Sequence, residues 1–178
     1  MANGWEHDFD WQRAYIPAMK VILANYLITE ASADEDQTHN TDLVVLTLDR
    51  LRVACRIRTH KYVRNLDYRN QFTIRASRPS GTETELAKVL AGWGDYILYG
   101  FAGEHGNNLC AWMLGDLRVF RLWHHRQLAL LPPRTYPGQG RSNGDGSSTF
   151  RAYQIDDLPD DFIIARKPYV AHDRGKVA

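Results

Sequence analysis

The stretch TDLVVLTLDRLRVACRIRTHKYVRNLDYRNQFTIRA, residues 41–76, decides how this chain is read. Three segments within it, 43–48 (LVVLTL), 53–58 (VACRIR) and 71–76 (QFTIRA), are short, rich in β-branched residues and bounded by polar ones. Such runs predict strands, because branched side chains pack well on a pleated surface. Asp49 and Arg50 occupy a tight-turn position, so the first two strands are expected to form a hairpin. Upstream, Ile16, Met19, Leu23 and Leu27 recur at helical spacing behind Pro17, predicting a helix over 12–29. Downstream, Thr82 and Glu85 have the spacing of a capping box, predicting a second helix over 82–93.

Beyond these lie strands at 96–101 (YILYGF) and 109–114, joined by a turn at 103–108. Asp116 is placed to N-cap a helix over 117–127. Residues 132–148 (PPRTYPGQGRSNGDGSS) predict a long mobile loop, since Pro, Gly and Ser dominate. A last strand follows at 149–155, with 158–165 packing behind it and a frayed tail from 166 to 178. The pattern is α+β (or α/β), with a central mixed sheet of five to six strands flanked by helices.

The chain has 178 residues, of which 44% are hydrophobic and 24% charged, which fits one globular domain spanning 1–178. Two cysteines, Cys55 and Cys110, exclude a disulfide-stapled scaffold and a four-cysteine zinc site. No apolar window is long enough for a membrane span, and the first residues lack the basic and apolar regions of a signal peptide. Cytoplasmic location, without a membrane partner, is the expectation.

Charge is unevenly distributed. The formal net charge is only +1, yet residues 28–49 hold six acids and no Lys or Arg. Residues 50–78 hold eight arginines and Lys61 against the single acid Asp67. Arginine presents a planar fork that matches phosphate. Tyr62, Tyr68 and Phe72 are interleaved with the cations, in the manner of base-stacking surfaces. Arg56, Arg58, Arg64, Arg69, Arg75, Arg78 and Lys61 are therefore candidates for nucleic-acid binding, most simply DNA. The alternative is a salt-bridged surface, with Arg56, Arg58 and Arg75 paired to carboxylates across strands.

Over residues 12–103, the order helix, three strands, helix, strand, with Asp42 opening the first of the strands, resembles the PD-(D/E)xK nuclease-like (restriction-endonuclease-like) fold. The resemblance implies an α-β-β-β-α-β core, with 104–165 as a C-terminal extension. It implies an Asp and further acids that hold Mg²⁺ or Mn²⁺ at a scissile phosphate. Asp42 takes the first position. The following strand lacks the family's Glu and carries Arg56 and Arg58 where Lys belongs. Glu30 then stands as the upstream acid and second metal ligand, with Glu85 (or Glu83) as the acid moved to the second helix. Arginine can stabilise developing negative charge, but its high pKa makes it a poor proton acceptor. The TDLVVL, CRIR and QFTIR segments also resemble those of phage and prophage proteins.

Two functions follow. One is a divalent-metal-dependent phosphodiesterase acting on DNA, with Asp42, Glu30, Glu85, Arg56 and Arg58 at its centre. The other is a catalytically inactive module of the same fold that binds nucleic acid or inhibits a partner protein, as a phage counter-defence protein does. Other candidates are weaker. His124 and His125 with Trp123 and Arg126 predict an exposed helix end. His39 lies between Asp36 and Asp42 in a polar loop. Cys55 on an alternating strand predicts inert packing, and Trp93, Trp112 and Trp123 predict core or interface anchors.

Overall fold

The computed structural model describes residues 11–30, 43–45 and 52–170. Helix α1, Ile16–Leu27, starts with Pro17 in its first turn, where a missing N–H costs nothing. It ends where Ile28 and Thr29 introduce β-branched residues. Strand β1, Ile28–Glu30, follows directly and pairs antiparallel with β2, Leu43–Val45. Glu30 thus lies on a strand, with Leu43 as its register partner, and not at a helix end. Asp42 lies outside the described residues, as does His39.

The expected hairpin between 43–48 and 53–58 is not the pairing of β3, Val53–Arg58. Strand β3 pairs parallel with β5, Tyr96–Ala102. Two features anchor that pairing at its start. The Asp95 carboxylate accepts from the Arg52 N–H at 2.9 Å, and the Arg52 carbonyl accepts from the N–H groups of Asp95 and Tyr96. Strand β6, Leu109–Asp116, pairs antiparallel with β5, and β9, Ile163–Lys167, pairs antiparallel with β6. The result is a four-stranded sheet in the order β3-β5-β6-β9.

The expected central sheet of five to six strands is instead divided. Strand β4, Gln71–Ser77, leaves the first sheet and pairs with β8, Thr149–Gln154, which pairs with β7, Gln139–Ser142. Residues 71–74 are buried in succession, as suits a strand covered on both faces. Strand β7 falls inside the stretch expected to be a mobile loop; its backbone groups are taken up by the antiparallel ladder with β8. Arg166 and Lys167 likewise belong to β9 and not to a frayed tail, because they pair with Met113 and Trp112. Between β3 and β4 runs a short 3₁₀ turn, His60–Tyr62, and helix α2, Leu66–Arg69, N-capped by the Asn65 side chain.

The two faces of the four-stranded sheet build two cores. Alternation along β5 sends Leu98 and Ala102 to one face, where Tyr15, just before α1, and Met19 of α1 meet Ile57 and Leu109. It sends Ile97, Tyr99 and Phe101 to the other, where they join the larger cluster. Phe72, fully buried, touches Tyr99, Phe120, Tyr153 and Phe162 ring to ring, with centroids 5.5–6.0 Å apart. Phe72 was expected among the base-stacking residues; it lies on the second sheet and is covered by Tyr99 of the first sheet with Phe120 and Phe162. The core also crosses the boundary expected near residue 103. Gly115 on β6 is where a Cβ would come within 2.6 Å of the Phe162 ring, so the side chain is absent where the ring needs the space.

Helix α3, Glu85–Leu90, is shorter than the 82–93 expected. Its N-cap is Thr84, whose hydroxyl donates to the Ala76 carbonyl at 3.2 Å, so the capping box from Thr82 does not form. Helix α4, Leu117–Leu130, begins where the sequence predicts, with the Asp116 carboxylate accepting from the Arg118 N–H at 2.8 Å. No helix among the described residues is long and apolar enough to cross a membrane.

Candidate functional site

Alternation along β3 puts Arg56 and Arg58 on one face of the sheet, beside Tyr99 and Phe101, their register partners on β5. Arg75, near the end of β4, approaches the same space from the second sheet. Together with the first residue of α3, Glu85, they line an open cleft of about 550 Å³. Ile74, Val89, Ile97 and Tyr62 also line it, and Ile57 and Trp11 reach it from the other side of the edge strand β3, where they pack with α1.

The charges in this cleft do not cancel. Glu85 is shared by two arginines. Its Oε2 accepts from Arg56 Nη1 at 2.5 Å and from the Arg75 backbone N–H at 3.2 Å, and Oε1 lies 3.7 Å from Arg75 Nη1. Arg58 takes no carboxylate among the described residues. Its guanidinium lies 4.0 Å from the centroid of the Tyr62 ring and 5.7 Å from that of Tyr68. Its Nη1 donates to the Tyr99 hydroxyl at 3.5 Å, and that hydroxyl is hydrogen-bonded to Thr73 Oγ1 at 2.8 Å inside the core. Among the described residues, three arginines and one carboxylate line this concave, partly apolar space, an excess of two positive charges. Low-dielectric walls strengthen the field of such an excess.

The remaining candidates are dispersed. Lys61 lies over Tyr62, at 5.0 Å from the ring centroid. Arg64 pairs with Glu104 at 2.5 Å, away from the cleft. Arg69 stands over the Tyr169 ring, 5.9 Å from its centroid, in a second depression. Arg78 is exposed in the turn after β4. The bland alternative thus describes part of the cluster, since Arg56, Arg75 and Glu85 form an ion-pair group, but it leaves Arg58 out.

The metal-binding expectation has no assembled site among the described residues. No three His, Cys, Asp or Glu side chains gather there. Glu85 is taken by the arginines, Asp42 lies outside the described residues, and Glu30 is described by its backbone alone. No chemical step is assigned to a metal here. Cys55 also lines the cleft; although the residue is exposed, desolvation raises its thiol above the ordinary range, which opposes nucleophilic use.

His124 corrects the expectation of an exposed helix end. It is 1% exposed, with neither ring nitrogen hydrogen-bonded, and burial, aided by His125 and Arg151, lowers its pKa to about 4. The helix explains why: Leu117, Phe120 and His124 form the buried stripe of α4 at helical spacing. That spacing was present in the sequence and marks His124 as a core position despite its neighbours. Of the tryptophans, Trp112 and Trp123 are half-buried against the two cores, but Trp93 is exposed, with the Arg52 guanidinium 5.0 Å from its ring centroid.

Comparison with protein-family models, with curated proteins and with solved structures gives no match for this chain.

Proposed function

We propose that this chain is a nucleic-acid-binding module, holding the phosphates of a DNA strand in the cleft formed by Arg56, Arg58 and Arg75. The observation that carries this reading is the convergence of the three arginines on one depression with Glu85 as the single carboxylate among the described residues that line it. Arginine forks match phosphate oxygens in geometry as well as charge. Tyr62 and Trp11 give the same cleft flat rings for sugars or bases. From the nuclease resemblance the reading keeps the DNA-facing surface and not the hydrolytic step.

The test is binding of a fluorescent DNA oligonucleotide by the full chain, followed by anisotropy over a salt series. Affinity is expected to fall steeply with salt, because each phosphate contact releases counterions. The double variant Arg56→Ala/Arg58→Ala is expected to bind at least about tenfold more weakly, with a shallower salt slope. Equal affinities for the two proteins overturn the reading. Cleavage of the oligonucleotide that requires Mg²⁺ or Mn²⁺ and is lost in Asp42→Ala replaces binding alone with the phosphodiesterase reading.

A further inference from the structure

A second depression, about 340 Å³, opens on the same face of the four-stranded sheet as the first. Register shows this directly. Arg56 on β3 pairs with Tyr99 on β5, Tyr99 with Met113 on β6, and Met113 with Arg166 on β9. Paired residues share a face, so Arg56 and Arg166 mark opposite edges of one row. Three strand spacings of about 4.8 Å separate them, or roughly 14 Å. Tyr99 and Met113, in the middle of the row, are buried in the larger core, so a ligand that joins the two edges passes over the outside of the connection between β3 and β4 and not along the row itself.

Its charge repeats that of the first cleft. Arg69, Arg166 and Lys167 line it against one carboxylate, Asp156, which accepts from the Asn70 side chain at 2.7 Å. Among the described residues the excess is again two positive charges, and again a ring, Tyr169, lies in the wall with a guanidinium over it. The segment between β3 and β4 joins the two depressions. It begins at Arg58, passes through Tyr62 and Tyr68, and ends at Arg69. The Tyr62 and Tyr68 rings meet edge to face, with centroids 5.7 Å apart.

We propose that the second depression is a further phosphate subsite for the same ligand, a single-stranded nucleic acid that reaches from one edge of the sheet to the other. This rests on the binding reading of the first cleft. The track alternates cations with tyrosine rings, which is the composition of a single-strand path, where bases stack on aromatic faces and arginines follow the backbone. Its span is compatible with site sizes from about four nucleotides upward.

The experiment compares a thymidine dinucleotide, which at about 3.4 Å per nucleotide is too short to reach both depressions, with an oligothymidylate of about twelve nucleotides. For Arg69→Ala/Arg166→Ala, affinity for the long strand is expected to fall about tenfold or more, with a reduced salt slope, while the short strand changes less than about twofold. Arg166→Gln alone, an exposed edge-strand substitution, is expected to move the long strand in the same direction and guards against an effect of misfolding. Arg56→Ala/Arg58→Ala is expected to weaken both lengths. If the second-depression variants leave the long strand unchanged while the first-cleft variant weakens it, the subsite is overturned and the first cleft stands. Equal affinity for a duplex of the same length overturns the single-strand assignment. If the native chain binds neither length, both proposals fall.

Discussion

The rim of the four-stranded sheet and the interior behind α4 handle polar groups in opposite ways. At the rim, Arg56 and Arg75 share Glu85 in partial contact with water. Inside, His124 and the Tyr153 hydroxyl have no hydrogen-bond partner, and both are driven toward their neutral forms. Burial raises the Tyr153 phenol, against a smaller opposing effect from Arg151. Burial lowers His124, and His125 and Arg151 add to that direction. The comparison teaches where charge is available for exchange. An exposed ion pair can trade a carboxylate for a phosphate at small cost, whereas a buried ring can accept a proton only if the surrounding core gives way.

The harshest way to break this contrast is Phe72→Ala. The ring is fully buried among four aromatic neighbours, so its loss is expected to cost about 3–5 kcal/mol in chemical denaturation, through transfer and cavity effects together. Because Arg75 sits on the same strand, the variant also weakens the cleft. A loss below about 1 kcal/mol means the interior is not the rigid half of the molecule.

Lowering the pH tests the interior next. The His124 pKa falls from 6.5 in a free side chain to about 4 in the fold. The unfolded state therefore binds the proton first as pH drops, and stability is lost progressively from about pH 6.5 toward pH 4. The loss is about 2 kcal/mol by pH 5 and about 3 kcal/mol near pH 4, on an order-of-magnitude basis. In His124→Leu, unfolding measured across that window is expected to lose this component. Asp116 titrates in a different range. Its burial alone would raise its pKa, but the hydrogen bonds and charge of Arg118 outweigh that and lower it. Its contribution is present above the free value of 3.8 and is lost below it, so the two groups separate on the pH axis. A native chain equally stable at pH 7 and pH 5 refutes the sealed histidine.

Asp116 then sharpens the contrast as an intermediate case: it is buried like His124 but partnered like Glu85. Its carboxylate caps α4 and receives Arg118 Nη2 at 2.5 Å. Asp116→Ala is expected to cost about 1–2 kcal/mol in thermal or urea unfolding, mostly as lost capping. Asp116→Asn, which retains the capping oxygen, is expected to recover most of it.

What could be read from the sequence follows the same division. The arginine run, the strands at 53–58, 71–76 and 96–101, and the Asp116 cap are local patterns, and each is where expected. Strand pairing is not local. Val53–Arg58 meets a parallel strand more than forty residues on, where a hairpin neighbour was expected, and Gln71–Ser77 joins a second sheet. Charge counting therefore located the basic run but not which arginines converge. Two come together because they are two residues apart on one strand, and Arg75 joins them only through the packing of the second sheet. His124 was hidden by its polar neighbours, because a charged or polar sequence context outweighed a three-residue helical stripe.

The smallest expected effect is the most discriminating for the rim. Arg64 lies in the same basic run as Arg56 and Arg58, carries the same charge and also pairs with a glutamate. Its side chain is 54% exposed and its partner, Glu104, sits in the turn between β5 and β6, away from the cleft. If the sequence-level excess of arginine were what binds a polyanion, Arg64→Ala would weaken binding as much as Arg58→Ala. If convergence on a shared depression is what matters, Arg64→Ala is expected to change affinity less than about twofold and stability by less than about 0.5 kcal/mol, as for an exposed surface pair. Anisotropy titrations of Arg64→Ala and Arg58→Ala at one salt concentration make the comparison directly, because both substitutions remove one charge and differ in where the guanidinium stands. Equal losses would return the molecule to a diffuse basic surface and dissolve the distinction between the cleft and the rest of the run.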